Sequence, residues 1–269
     1  MKSVIEKQKK VQHSIGFVPT MGYLHEGHLS LVRIARRKTD FVVVSIFVNP
    51  TQFGPGEDYA RYPRNLKKDV EVLKQEKAHA VFKPSVRAMY APDYETTVKV
   101  EKMSTVMCGH SRPHHFQGVT TVVLKLFNIV EPDIAVFGRK DFQQGQIIKR
   151  MIEDLNLSTK IILGPIIREH DGLAMSSRNV YLNPNQRKNA TVLYQSLQWV
   201  KAQYKQGLRD ASKAIIEISK MITNAGARID YVDVVNAHTL HKVNRLGKGT
   251  LIALAVFFGK TRLIDNTTL

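Results

Sequence analysis

Two histidines three residues apart, His25 and His28, stand at the head of a stretch in which Leu24, Leu29, Leu31, Val32 and Ile34 recur as a helix face requires. Just before them an apolar run, residues 15–18, ends at Pro19 and Gly22, so the segment reads as strand, turn, helix. At that spacing both imidazoles share one face of the first helical turn. They sit at the positive end of the helix dipole, where backbone N–H groups lack partners and a phosphate is welcome. A second group with the same chemistry lies far downstream: Ser176, Ser177 and Arg178, after a turn at Asp171 and Gly172. Each hydroxyl can donate one hydrogen bond to a phosphate and the guanidinium can donate a fork.

These groups need strands to present them. Residues 41–47 are almost wholly apolar and largely β-branched, as in a strand buried on both faces of a parallel sheet, and they run into Asn49-Pro50-Thr51-Gln52. Residues 134–137 form another such run and end at Gly138-Arg139-Lys140-Asp141, with Gln143 and Gln144 opening the next helical pattern. An open α/β sheet places its ligand contacts at the carboxyl ends of strands, which makes Asn49 and Gln52 candidates; an ordinary capped turn is the other reading of the same residues. Further elements are a helix over 65–75, a short strand over 80–83, a peripheral strand over 96–100 and a strand over 159–163. The loop 109–116 leads into a helix carrying Val119, Val122, Val123, Leu126, Phe127 and Val130. From Asn183-Pro184, a capped helix start, helical patterns run to about residue 225, followed by alternation over 229–235 and an apolar run over 251–258. The expected fold class is α/β: a Rossmann-like parallel sheet with helices on both faces in a domain of residues 1–166, then a smaller α+β domain over 167–269.

Composition bounds the function. The 269 residues are 43% hydrophobic, with 11 phenylalanines and 9 tyrosines, enough for a real core. No apolar run reaches the roughly 20 residues of a membrane span, and the basic residues 1–12 are followed by no secretory apolar stretch, so a cytoplasmic protein that does not engage a membrane is expected. A single cysteine, Cys108, offers no internal disulfide and has no zinc-ligand spacing around it. Three histidines, His110, His114 and His115, share one loop, but two are adjacent and no carboxylate or thiol accompanies them, which argues against a metal there. The net charge of +17 suits nucleic acid, a membrane surface or an anionic substrate. Its lysines and arginines are scattered, without the aromatic interleaving that stacks bases, and a solvated basic surface is the expectation.

Any nucleotide must be held without the usual loops. There is no G-x-x-x-x-G-K-[ST], since Gly247-Lys248-Gly249-Thr250 lacks its preceding glycine, and no G-x-G-x-x-G follows a strand. A His-x-x-His helix start and a later serine–arginine loop, in that order, instead resemble the paired signatures of HIGH-motif nucleotidyl transferases and class I aminoacyl-tRNA synthetases.

The resemblance becomes specific over longer runs: Val18-Pro19-Thr20-Met21-Gly22 through His28; Val44 through Phe53; Tyr62-Pro63-Arg64; His115-Phe116-Gln117-Gly118-Val119; Phe137 through Gln144; Arg168 through Asn179; and Thr261-Arg262-Leu263-Ile264-Asp265-Asn266. Together they resemble the pantoate–β-alanine ligase family, closely up to about Pro184 and loosely beyond. The resemblance implies condensation of pantoate with β-alanine through a pantoyl-adenylate, with ATP and Mg²⁺, by a cytoplasmic homodimer needing no nucleic acid. It implies an ATP site along Met21, Gly22, Tyr23, Leu24, His25, Glu26, Gly27 and His28, then Gly138, Arg139, Lys140 and Asp141, then Ile167, Met175, Ser176, Ser177 and Arg178. Catalytic roles fall to His28, the usual proton donor, and to His25, Lys140 and Arg178, which neutralise phosphate charge. Gln52 and Gln144 would hold pantoate, with Gln52 also near β-alanine; Asn49, Arg112 and His115 join the substrate-binding set, and Asp69 would help order Mg²⁺. Two positions depart from the family pattern: Arg139 stands where a glutamate is common and His114 where a small residue is.

Overall fold

The computed structural model describes residues 1–269, which divide into two compact units, residues 1–105 with 112–165, and residues 106–111 with 166–269. The second unit thus takes in a short segment from the middle of the first, which no linear boundary near residue 166 captures.

In the first unit, helix α1 (Lys2–Lys10) precedes β1 (Ile15–Thr20), α2 (Glu26–Arg36), β2 (Phe41–Ile46), α3 (Leu66–Gln75), β3 (Ala80–Phe82) and a single turn, α4 (Val86–Met89). After the one-turn α5 (Cys108–Ser111), which belongs to the second unit, come α6 (His115–Val130), β4 (Ile134–Gly138), α7 (Phe142–Asp154) and β5 (Lys160–Gly164). The five strands are parallel in the order β3-β2-β1-β4-β5. Central strands carry apolar residues on both faces because helices cover both: Val42, Val43 and Val44 are fully buried. One face packs Val18, Val44 and Val136 against Leu31, Val32 and Ala35 of α2 and Leu73 of α3. On β1, Phe17 meets Phe127 of α6 edge to face, ring centroids 6.3 Å apart.

Chain order reverses between β1 and β4, the place where open α/β sheets form a crevice. Gly16 pairs with Ile134 and Phe17 with Ala135, a register that carried along both strands sets Thr20 beside Gly138. Everything expected of the first histidine segment and of the 138–141 segment therefore issues from neighbouring strand ends.

Residues 96–100, expected as a peripheral strand, form none. The Val98 N–H donates to Thr121 Oγ1 (2.9 Å) and its carbonyl accepts from Thr120 Oγ1 (2.5 Å). Hydroxyls of α6 occupy the backbone groups that a partner strand would have used.

The second unit contains α8 (Pro184–Asn189), α9 (Val192–Lys205), α10 (Ala211–Asn224), β6 (Arg228–Asn236), β7 (Thr250–Phe258) and β8 (Thr261–Thr268), the last three an antiparallel sheet in sequence order. Asn183 caps α8 with a reciprocal bond to Gln186, and Pro184 takes the first helical position. The core joins Leu193, Leu197 and Val200 of α9 and Ile218 and Ile222 of α10 to Ile252, Leu254 and Val256 of β7. Sequence periodicity did not distinguish β8, which returns from β7 across Gly259 and Lys260.

Candidate active site

In the first unit the candidate site begins at the turn after β1. Thr20 Oγ1 donates to the Ser45 carbonyl (2.7 Å) and accepts from the Gly22 N–H (3.2 Å), fixing the strand end. Gly22 (φ +83°) and Tyr23 (φ +50°) are both left-handed, and a Cβ at residue 22 would lie 2.9 Å from Ile46 Cγ2. Only glycine fits there. α2 then begins at His25, its N-cap, whose Nδ1 accepts from the Gly27 N–H (3.1 Å), while His28 Nδ1 accepts from the His25 N–H at 3.4 Å. The His28 N–H itself donates to the His25 carbonyl (2.8 Å).

This corrects one expectation and sharpens another. The N–H groups of Gly27 and His28, expected to await a phosphate, are taken by the helix start itself. In exchange the tautomers are set: an Nδ1 that accepts leaves the proton of a neutral imidazole on Nε2, so both rings are Nε2–H donors. The rings lie 4.1 Å apart, centroid to centroid. Burial, joined by electrostatic coupling to His25 and Lys140, holds the His28 imidazole well below its ordinary 6.5, so it is neutral at physiological pH. Lys140 stands in the 3₁₀ turn Arg139–Asp141 at the end of β4 and is brought within electrostatic reach of His28. Glu26 is directed elsewhere, into an ion pair with Arg33, which also binds Glu76 at the C-cap of α3.

Gln52 closes a 3₁₀ turn, Pro50–Gln52, beyond β2, and its Nε2 lies 3.2 Å from Met21 Sδ, beside the histidine turn. Its position is fixed from three directions. Asn49, buried, donates to Gln52 Oε1 (3.2 Å) and to the Gly118 carbonyl (3.1 Å), and its Oδ1 accepts from Tyr90 Oη (2.8 Å) and Thr51 Oγ1 (3.0 Å). All four of its hydrogen-bonding positions are filled, so Asn49, expected among substrate contacts, is the hub of the turn. Gly118 of α6 touches the same turn: a Cβ there would lie 2.3 Å from the Thr51 carbonyl oxygen. His115 Nδ1 lies 2.7 Å from the Gln52 carbonyl, which can only accept, so His115 is protonated on Nδ1 and its Nε2 accepts from Arg112 (3.2 Å). Arg112 also donates to the Gln52 carbonyl (3.2 Å) and pairs with Glu57. The structure thus gathers Arg112 and His115 at the Gln52 carbonyl and adds Glu57, which sequence reasoning missed. Gln144 lies half-buried in the first turn of α7, directly after the 3₁₀ turn that carries Lys140.

Asp69, expected near Mg²⁺, is put to other use. Its side chain is buried and its two carboxylate oxygens accept from the N–H groups of Tyr23 (2.9 Å) and Leu24 (2.8 Å). No group of three or more His, Cys, Asp or Glu side chains is placed to hold a metal ion.

In the second unit, Ser176 Oγ caps the short 3₁₀ helix Ser177–Tyr181 by accepting from the Arg178 N–H (3.3 Å). The loop is braced throughout. The Met175 N–H donates to the Ile167 carbonyl (3.0 Å), and Asn179 donates to Glu169 (2.8 Å) and to the Ala174 carbonyl (3.2 Å). Arg187 pairs with both Glu169 and Asp171. At Gly172 (φ +93°) a Cβ would collide with the Tyr194 ring at 2.0 Å. Arg168 lies over that ring and binds Asp265 of β8 through two bonds of 2.6 and 2.9 Å, with the Asp265 side chain 1% exposed. Removing one member of such a buried pair strands the other charge. Asp265→Ala should therefore lower unfolding stability by about 3–5 kcal/mol, read as a lower urea midpoint; an unchanged midpoint would show that the pair does not brace the loop.

Comparisons with known proteins show which family shares this sequence and fold. The family model described as pantoate-beta-alanine ligase matches residues 1–268. The pantothenate synthetase of Acetivibrio thermocellus is 55% identical over 267 residues, covering 99% of this chain and 95% of the relative. The crystal structure of pantothenate synthetase from Thermus thermophilus superposes with a TM-score of 0.93 at 43% identity, over 98% of this chain and 97% of the other. The pantoate-beta-alanine ligase of Francisella tularensis, solved in complex with beta-gamma ATP and beta-alanine, gives a TM-score of 0.79 at 35% identity, over 98% of this chain and 95% of the other. With residues 1–268 matched by the family model and its fold shared, the chain belongs to the pantoate–β-alanine ligase family.

Proposed function

We infer that this chain works as its family does, joining pantoate to β-alanine with ATP to give pantothenate, AMP and pyrophosphate through a pantoyl-adenylate. The observation that carries the reading is the pair of tautomer-fixed imidazoles, with His28 neutral and Lys140 close by, at the switch point of the sheet and beside Gln52. In the first step a pantoate carboxylate oxygen attacks the α-phosphorus and the bond to pyrophosphate breaks. That carboxylate needs no base. What the step requires is stabilisation of a crowded phosphate and its leaving group, which Nε2–H donors and cations supply without reorganising. His28 and His25 donate to phosphate oxygens, and Lys140 and Arg178 neutralise charge. ATP lies along Met21 to His28, Gly138 to Asp141, Ile167, and Met175 to Arg178, and Gln52 and Gln144 bind pantoate.

In the second step the neutral amine of β-alanine attacks the acyl carbon, the bond to AMP breaks and the amine loses a proton. Arg112 and His115, already joined to Gln52, border the amine site. Water must be excluded, or the adenylate hydrolyses. In this reading residues 1–166 bind ATP and pantoate, and residues 167–269 are the smaller C-terminal domain that carries the serine–arginine loop. Mg²⁺ enters with ATP, bound mainly by phosphate oxygens and offsetting their charge. We assign the protein to the cytoplasm as a homodimer; no helix is long and apolar enough to cross a membrane. The +17 charge then serves solubility and the steering of two anionic substrates, with nucleic acid playing no part.

Isotope exchange tests the mechanism. Labelled pyrophosphate should enter ATP when pantoate is present and β-alanine absent, and adding β-alanine should yield AMP and pantothenate. Exchange that requires β-alanine, or ADP as product, would exclude the adenylate.

A further inference from the structure

Asp69 is a buried carboxylate that reaches the histidine turn, and its geometry is specific. It stands in the first turn of α3 and spans 46 and 45 residues of sequence to bind two consecutive N–H groups, one per oxygen, at 2.9 and 2.8 Å. The residues it grips are the strained part of the segment: Tyr23, a bulky side chain at φ +50°, follows Gly22 at φ +83°. Left-handed backbone at a non-glycine residue persists only where its surroundings impose it. Packing is tight on this side, since a Cβ at residue 22 would lie 3.0 Å from Asp69 Oδ2. Immediately after Leu24 comes His25, the N-cap whose ring and backbone fix both tautomers.

We propose that Asp69 is a positioning residue for the adenylation step: as an internal anion it clamps the Tyr23 and Leu24 N–H groups, holds the left-handed turn, and so sets the place and the Nε2–H tautomers of His25 and His28. The proposal rests on the reading that those imidazoles face the phosphates of ATP. It replaces the metal-ordering role that the family resemblance implied, because both oxygens of Asp69 are engaged with backbone and no further carboxylate, thiol or imidazole completes a metal site. It also gives the left-handed turn before His25 a physical reason: two consecutive N–H groups of that turn are held by one carboxylate.

The clamp and metal roles order the same substitutions oppositely. A clamp needs two acceptors facing two donors. Asp69→Asn would turn an amide NH₂ toward one backbone N–H in either orientation of the amide, so it should be at least as damaging as Asp69→Ala, whose vacated space a water can enter. A metal ligand would instead keep one oxygen in Asp69→Asn, making that variant the milder one and correctable with excess Mg²⁺. The experiment measures pantoate-dependent pyrophosphate exchange for wild type, Asp69→Asn and Asp69→Ala across Mg²⁺ concentrations, with melting and circular dichroism as folding controls. It also records the imidazole ¹⁵N shifts of His25 and His28 without substrates. Misplacement by about an ångström costs about 10²-fold, so kcat for exchange should fall by that order in both variants with the pantoate KM little changed. The Nε2–H signatures should weaken, and Mg²⁺ should restore neither. Should Asp69→Asn not fold, Asp69→Ser, with one acceptor, should lie between wild type and Asp69→Ala. Milder loss in Asp69→Asn with recovery at high Mg²⁺, or wild-type kcat and unaltered imidazole signals in folded variants, would overturn the proposal. The imidazole measurement needs no turnover, so a wild-type protein inactive in exchange would count against the functional reading while the clamp was still being tested.

Discussion

His28→Ala should reduce pantoate-dependent adenylate formation by about 10²–10³-fold while leaving the melting temperature near that of the wild type. The size follows from removing one preorganised donor aimed at developing charge. The tolerance follows from the helix start, where His25 still accepts from the Gly27 N–H and the bond lost is the long one, 3.4 Å, from the His25 N–H. A pH series tells what kind of donor His28 is. Its imidazole is held well below 6.5, first by burial and then by electrostatic coupling to His25 and Lys140. A neutral donor predicts that kcat in the wild type stays flat from about pH 8 to 6.5, with the acid limb lying below the ordinary histidine range. Activity that declines as pH rises through 6.5 would instead require a charged, proton-giving His28. Stability should report the same group with a worked sign. Because the folded pKa is depressed, the unfolded chain binds the proton first, so the folded state loses stability as pH falls below the unfolded value of 6.5, until the folded value is reached. In His28→Ala that part of the acid loss should vanish. Near wild-type exchange in a folded His28→Ala protein would return this residue to a purely capping role.

How much of this was legible in sequence depends on the range of the interaction. Strand, turn and helix around His25 could be read because they are local: an apolar run, a proline, a glycine and helical spacing lie within 20 residues. The parallel sheet was legible for a related reason, since strands buried on both faces leave near-continuous apolar runs such as residues 41–47. What the turn is fastened to was not. Asp69 reads as a helix-surface carboxylate in a polar stretch, and nothing local shows that it reaches back to Tyr23 and Leu24. Asn49 illustrates the converse: its position after a strand suggested ligand binding, but Tyr90 and Gly118, 41 and 69 residues away, together with nearby Thr51 and Gln52, fill its hydrogen-bonding capacity. The strand expected at residues 96–100 failed in the same way, because the competing partners were two threonines on a distant helix. Glu57 could have been suspected only by asking which carboxylate would neutralise Arg112. Local pattern thus located the histidines and the strand ends, and long-range hydrogen bonds decided which polar groups the fold itself uses.

Gln52 and Gln144 carry the acid specificity in this scheme, and the expected effects are large because pantoate is read by its hydroxyls. An amide offers both a donor and an acceptor, and a site built to hydrogen-bond hydroxyls rejects analogues lacking them far more strongly than an apolar pocket can. Removing one partner leaves the other group of a buried hydrogen bond unsatisfied at a cost of about 1–3 kcal/mol, so Gln52→Ala and Gln144→Ala should each raise the pantoate KM by roughly 10–100-fold with little change for ATP. Each should also narrow the preference for pantoate over its deoxy analogue. Gln52→Ala has a second consequence that the structure makes explicit: it leaves the buried Asn49 amide without one of its acceptors and loosens the turn bound by His115 and Arg112. Use of β-alanine should therefore weaken in Gln52→Ala and not in Gln144→Ala. Gln52→Glu separates binding from scaffolding, since it keeps an oxygen for Asn49 while placing a negative charge where the pantoate carboxylate must come. If Gln52 binds the acid, Gln52→Glu should be at least as defective toward pantoate as Gln52→Ala despite the better-held turn. If its role is only to hold the turn, Gln52→Glu should recover most of the lost activity, and the acid must be read by other groups.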